Sequence, residues 1–214
     1  MPRKSNAKER RAEIAHALFR CIARRGYLNT STRDIAREAN LNQGLIHYYF
    51  ESKEDILQTM AEDVYCRSLK AFEQYAHKYA SVPPRERLTL ISKFLHKKVA
   101  DDKDLARVFH ELWSLAHTNE RVNESLQSFY RLYRKYLAEI LSDVFKDLAL
   151  DTDDARDLAD ILISLGGGAS VLRSVGPRGL SLSRMTKLTT RLLESFFGLE
   201  ESSKTFIYRG GQEQ

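Results

Sequence analysis

A chain of 214 residues with an ordinary apolar share, 43%, supports a sizeable core in one domain or two small ones. Two scattered cysteines, Cys21 and Cys66, exclude a disulfide framework, fit a reducing cytoplasm and form no Cys/His cluster with zinc spacing. No run of about 18 apolar residues reads as a membrane span, and the basic Met1–Lys4 start is not followed by the apolar stretch of a secretory signal.

The formal net charge of +5 says less than its placement. Arg3, Lys4, Lys8, Arg10, Arg11, Arg20, Arg24 and Arg25 crowd the first 25 residues against Glu9 and Glu13. Such asymmetry suits either a nucleic-acid face or a solvated basic terminus.

Helical periodicity runs through nearly the whole chain, so an all-α fold is expected. A first helix over about 7–25 carries Ile14, Leu18, Phe19 and Ile22 on one stripe, and Gly26 stops it. Tyr27 and Leu28 are expected to fold back onto the core. Ser31 and Thr32 can cap a short second helix, with Asp34 completing a weak capping box. Asn40 occupies a tight turn and tolerates positive φ. Asn42 can cap a third helix over about 43–50. Ser52 precedes a fourth helix that reaches about residue 79, and Ser81-Val82-Pro83-Pro84 is a break. Further helices are expected at about 85–100, 103–117, 120–148, 153–174 and 181–197. Their separators include Asp151-Thr152 and Gly176-Pro177-Arg178-Gly179.

Two short helices joined by a tight turn, backed by a longer one, make a helix-turn-helix. Ile46 and Phe50 share one face of the third helix and are expected to pack inward with Leu41. Gln43, Gly44, Leu45, His47 and Tyr48 then remain for presentation, and a helix of this width fits the DNA major groove. Arg33, Gln43, Gly44, Leu45 and Tyr48 are candidate base contacts. Thr30, Thr32, His47, Tyr49 and Lys53 are candidate phosphate contacts, which position rather than specify. The basic arm before Ala7 is expected to be flexible and to add salt-sensitive affinity.

Residues 30–50, from Thr30 through Thr32-Arg33-Asp34-Ile35-Ala36 and Gly44-Leu45-Ile46-His47-Tyr48-Tyr49-Phe50, followed by Ser52-Lys53-Glu54 and Leu57, resemble the N-terminal domain of the TetR family of transcriptional regulators. The close resemblance covers about residues 10–60. It implies a homodimer on a near-palindromic double-stranded operator, acting as a repressor, with a helical C-terminal domain that binds a small effector and dimerises. Within it, positions matching Arg33, Gln43, Gly44 and Leu45 approach bases, and those matching Thr32, His47, Tyr49 and Lys53 approach the backbone. Asn40 stands where glycine is usual and His47 where tyrosine is usual.

On this basis residues 7–52 are expected to form the DNA-binding domain, 53–198 the helical ligand-binding and dimerisation domain, and 199–214 a flexible tail. Leu158, Ile161, Leu162, Leu165, Leu188, Leu192 and Phe196 are candidates for the dimer interface. Gly166-Gly167-Gly168 marks either close helix packing across that interface or a local kink. Phe109, His110, Trp113, His117, Phe129, Tyr130 and Tyr133 are candidates for lining an effector pocket, with ordinary core packing as the alternative. Arg107, Glu111 and Arg134 are candidates for orienting a polar group of the effector, with plain solvation as the alternative. The fourth helix, directly behind Phe50, is the expected lever between the domains.

No cofactor or metal is expected. Glu111 with His110 or His117 could imitate an acid–base cluster, but no H-E-x-x-H spacing, nucleophile elbow or nucleotide loop accompanies it. A helical protein-interaction module that has lost DNA binding is the other alternative.

Overall fold

Gly26 ends the first helix with a φ of +80°, a conformation that a side chain would oppose. In the computed structural model, which describes residues 3–78, 81–148, 154–175 and 181–199, the helix closed there is α1 (Arg3–Arg25). It begins at Arg3 rather than near Ala7, so the basic arm continues the helix instead of trailing from it.

The next two helices form as their caps dictate. In α2 (Thr32–Glu38) the Ser31 hydroxyl accepts the Asp34 N–H, and the Asp34 carboxylate accepts the Ser31 N–H at 3.0 Å. Asn40 then takes a φ of 54°, and the Leu41 N–H returns to the Ala36 carbonyl. The Asn42 side chain accepts the Leu45 N–H at 2.9 Å and starts α3 (Gln43–Tyr49). The Ser52 hydroxyl accepts the Asp55 N–H at the head of α4 (Lys53–Lys78).

The remaining described helices are α5 (Pro84–Asp101), α6 (Lys103–Ala116), α7 (Glu120–Asp147), α8 (Ala155–Val175) and α9 (Leu182–Phe196). Pro84 sits in the first turn of α5, where its missing N–H costs nothing. Asp102 and Asn119 cap α6 and α7 through their side chains. The expected separators at 151–152 and 176–179, and all of the expected 199–214 tail but its first residue, lie outside the described residues.

Ile14, Leu18, Ile35, Ile46 and Phe50 of the three-helix head join Leu57, Met60 and Val64 of α4 in one buried cluster. Val108 and Leu112 of α6 and Phe129 of α7 belong to the same cluster, so the head is continuous with the body. A second cluster gathers Phe72, Leu137, Leu141, Phe145, Leu162 and Leu193 at the far end. Each fully buried aliphatic side chain of this kind contributes about 1.5–3 kcal/mol of apolar burial.

Two expectations are corrected. Tyr27 is buried, but Leu28 is 85% exposed and does not fold back. α8 is long and apolar enough to cross a membrane by length and composition. The chain holds such a helix because alanines and glycines dilute its polar positions without supplying the continuous run of large apolar residues that the sequence reading sought. Its buried side, Leu158, Ala159, Leu162, Gly166 and Ala169, packs inside the bundle, where α8 meets α7 and α5.

Candidate nucleic-acid interface and effector cavity

α3 is seven residues long and turns only one residue, Ile46, fully into the core. Phe50, just after it, is buried as well. Gln43, Gly44, His47 and Tyr48 are exposed, Tyr48 at 78%, while Leu45 and Tyr49 are half-buried. Tyr48 and Tyr49 meet edge to face, with centroids 4.9 Å apart. Gln43 Nε2 approaches the Thr32 hydroxyl at 3.5 Å, joining the starts of α2 and α3 on one surface. Arg33 is exposed on α2 beside them. Polar, aromatic and cationic groups therefore share the outer face of the turn.

Two candidate phosphate contacts are placed differently from the others. Thr30 is buried, and its hydroxyl donates to the Gly26 carbonyl at 2.8 Å. Lys53 donates to the Tyr27 and Thr30 carbonyls at 3.1 and 2.9 Å, with its ammonium 4.0 Å from the centre of the Tyr27 ring. Two of its three protons thus hold the α1–α2 loop. Thr32, His47 and Tyr49 keep solvent access.

The basic crowding near the N-terminus is largely internal. Arg20 and Arg24 both pair with Glu38, and Arg25 pairs with Asp34 at 3.2 Å. Arg20 is the foremost cause that holds the Glu38 carboxyl below its usual range. Arg11 donates to the Tyr49 carbonyl, reaches Asp55 and Thr59, and lies 4.0 Å over the Phe50 ring. These arginines tie α1 to the recognition unit rather than await an anion.

The body holds a partly open aromatic cavity of about 90 Å³. Phe109, Trp113, Phe129, Tyr130 and Tyr133 line it. His110 lies just outside, with Nε2 3.1 Å from the hydroxyl of Ser170, itself a lining residue. His117 is exposed at the C-terminal cap of α6 and lines nothing here. Phe129 stacks on Tyr133 with a centroid separation of 5.6 Å and on Tyr65 at 4.9 Å. Burial pushes the Tyr130 phenol up to about 12 and raises Tyr65 and Tyr133 further, so all three stay neutral. Burial lowers His110 below its ordinary 6.5. The Trp113 indole N–H lies close enough to the Tyr130 oxygen to lower that pKa, yet makes no hydrogen bond of good geometry.

The sequence reading missed Ser68, Phe94, Leu105, Ile163, Gly166, Gly167 and Ser170 as lining residues. The glycine run was the signal for the α8 side of that lining alone. α8 is unbroken through it, so it is not a helix break. A Cβ at Gly167 would lie 3.1 Å from the Trp113 ring, so that glycine admits the indole against α8 within one chain. A wider opening adjoins the cavity through Trp113, Tyr130, Ile163 and Gly167. Arg134 and Asp160 pair there at 2.5 Å. Arg107 and Glu111 point elsewhere, toward the end of α1. His110, Glu111 and His117 thus diverge and form no acid–base cluster.

α8 and α9 leave an apolar face uncovered. Ile161, Leu165, Leu188, Leu192 and Phe196 are exposed, Leu192 at 67%. Leu158 and Leu162 lie on the inner side of α8, in the protomer's own core. Periodicity alone could not separate the two sides of a helix apolar all round.

A helix-turn-helix head that presents its third helix, continuous with a helical body around a cavity, defines a DNA-binding transcription regulator. Residues 14–60 match the family described as bacterial regulatory proteins, tetR family, and residues 84–198 match the BetI-type transcriptional repressor C-terminal domain. The chain belongs to the TetR family of transcriptional regulators. It is 26% identical over 203 residues to the HTH-type transcriptional regulator BetI of Agrobacterium fabrum, covering 95% of this chain and 93% of that one. A transcriptional regulator from Saccharomonospora viridis, solved in complex with choline, superposes with a TM-score of 0.73 at 27% identity, covering 87% of this chain and 96% of that one. A regulator from Pseudomonas aeruginosa PAO1 shares the fold with a TM-score of 0.76 at 20% identity, covering 89% and 91% of the two chains.

Proposed function

We propose that the protein is a homodimeric repressor that binds an inverted-repeat operator and is released by a small molecule in the aromatic cavity. The observation that carries this reading is the joint presence of an outward recognition surface, Arg33 with Gln43–Tyr48, and a partly open aromatic cavity in the body. Residues 7–52 serve as the DNA-binding domain and 53–198 as the effector and dimer domain.

In this reading Arg33, Gln43, Gly44, Leu45 and Tyr48 face bases, and Thr32, His47 and Tyr49 face the backbone. Gln43 suits adenine N6 and N7, and Leu45 suits a thymine methyl. The apolar α8–α9 face meets a second copy of this chain rather than lipid, because exposed apolar helices in a two-fold pair complete each other. A regulator of chromosomal DNA works in the cytoplasm and needs no bond-breaking chemistry.

The effector is a small amphipathic molecule whose body meets aromatic faces. A choline-type cation is the first to test. Aromatic rings attract quaternary ammonium groups through their faces, and the related S. viridis regulator was solved with choline. Release follows if the effector prefers a dimer whose recognition helices no longer match successive major grooves.

The experiment is operator release measured by fluorescence anisotropy of a labelled duplex, with choline and then uncharged aromatic compounds added. Release by a saturable compound, lost in Trp113→Ala, supports the cycle. A dimer that binds its operator and keeps it against every compound that occupies the cavity contradicts effector release.

A further inference from the structure

α6 has two working sides. Leu105, Phe109 and Trp113, spaced by four, line the cavity. Arg107 and Glu111, also spaced by four but offset by two, lie on the opposite side. Both reach the end of α1. Arg107 Nη1 donates to the Ala23 carbonyl at 3.2 Å, and Glu111 Oε2 accepts the Tyr27 N–H at 3.5 Å.

Those two backbone groups are partners in sequence. Ala23 C=O and Tyr27 N–H would form the next hydrogen bond of α1 if the helix continued. The last backbone bond runs from the Gly26 N–H to the Ile22 carbonyl, and the positive φ of Gly26 turns the chain away after it. Each half of the opened pair is taken by an α6 side chain. Gly26 also makes room for the carboxylate, since a Cβ there would lie 2.8 Å from Glu111 Oε1.

Tyr27 carries the contact onward. Its carbonyl accepts from Lys53 and from the Thr30 N–H, and its hydroxyl donates to Glu54 Oε1 at 3.1 Å. A movement of α6 along this clamp therefore reaches the entry to α2 and the start of α4 together.

We infer that Arg107 and Glu111 are positioning residues that couple the cavity to the recognition helices through the open end of α1. The inference rests on the proposed DNA-binding cycle and assigns its route. Coupling is reciprocal, so operator binding must also be felt at the cavity. Trp113, the single tryptophan of the chain, lies on the cavity side of the same helix and reports it.

The test adds operator duplex to the full-length protein, at saturation for each variant, and reads Trp113 emission. The wild type shifts its emission; Arg107→Met/Glu111→Ala binds the duplex but shows less than about one fifth of that shift, and Glu111→Gln, which keeps an acceptor, retains most of it. If the double substitution unfolds the head, Arg107→Met alone is read the same way. An equal shift in wild type and clamp variant overturns the inference, as does bound operator without any shift in the wild type. Failure of the wild type to bind any duplex would instead strike the DNA-binding reading itself.

Discussion

Gln43, Lys53 and His110 show how differently a polar side chain can serve the same molecule. Gln43 is exposed on α3, so Gln43→Ala leaves the melting temperature unchanged and lowers discrimination at one operator base by about 1–3 kcal/mol. Competition binding against single-base operator variants reads this directly. Lys53→Ala removes the donor of two loop carbonyls and costs stability of about 1–3 kcal/mol, seen as a lower denaturant midpoint. An unchanged midpoint with a reduced salt slope would return Lys53 to the phosphate-contact role that its position in the sequence first suggested. His110 makes a pH prediction. Burial holds its folded pKa below 6.5, so the unfolded chain binds the proton more readily. Stability is then present above the ordinary value and falls as pH drops through about 6.5 toward the lowered one. His110→Gln is expected to flatten that part of the stability profile, measured by urea unfolding at stepped pH.

At the scale of elements, caps and turns were legible because each rests on local chemistry. Ser31 with Asp34, Asn40 in its turn and Asn42 at the next helix are all decided within four residues. The described helices from α3 onward fall within two residues of the expected bounds. What stayed hidden depends on residues far apart in sequence. Arg11, Arg20, Arg24 and Arg25 read as a cationic surface until Glu38, Asp34, Asp55 and the Tyr49 carbonyl are brought to them. The glycines of α8 read as a weakness until Trp113 arrives from α6. Gly167→Ala tests that contact: the added methyl presses the indole, so the Trp113 emission maximum moves and effector response changes while helix content stays constant. Identical emission in the variant would mean that the indole has room the packing does not suggest.

For the whole molecule, the head and body share one buried cluster, so the proposed boundary near residue 52 does not separate two cores. The uncovered face of α8 and α9 belongs to this scale too. Leu192→Glu places a charge among Ile161, Leu165, Leu188 and Phe196 and is expected to give a folded monomer. Operator affinity should fall by about two orders of magnitude, since two linked half-site contacts become one. Light scattering and anisotropy together check both parts, and a Leu192→Glu dimer with full affinity would place the interface elsewhere.

In the proposed cycle this chain reads DNA sequence as a symmetric dimer. Selection of bound fragments from a randomised duplex pool, at about 0.15 M salt where charge-only binding is screened, puts that reading to the test. An enriched inverted repeat, with half-sites spaced for two recognition helices on one face of the duplex, is the expected result. A folded dimeric protein that enriches no sequence, or enriches only a single unrepeated site, would contradict it.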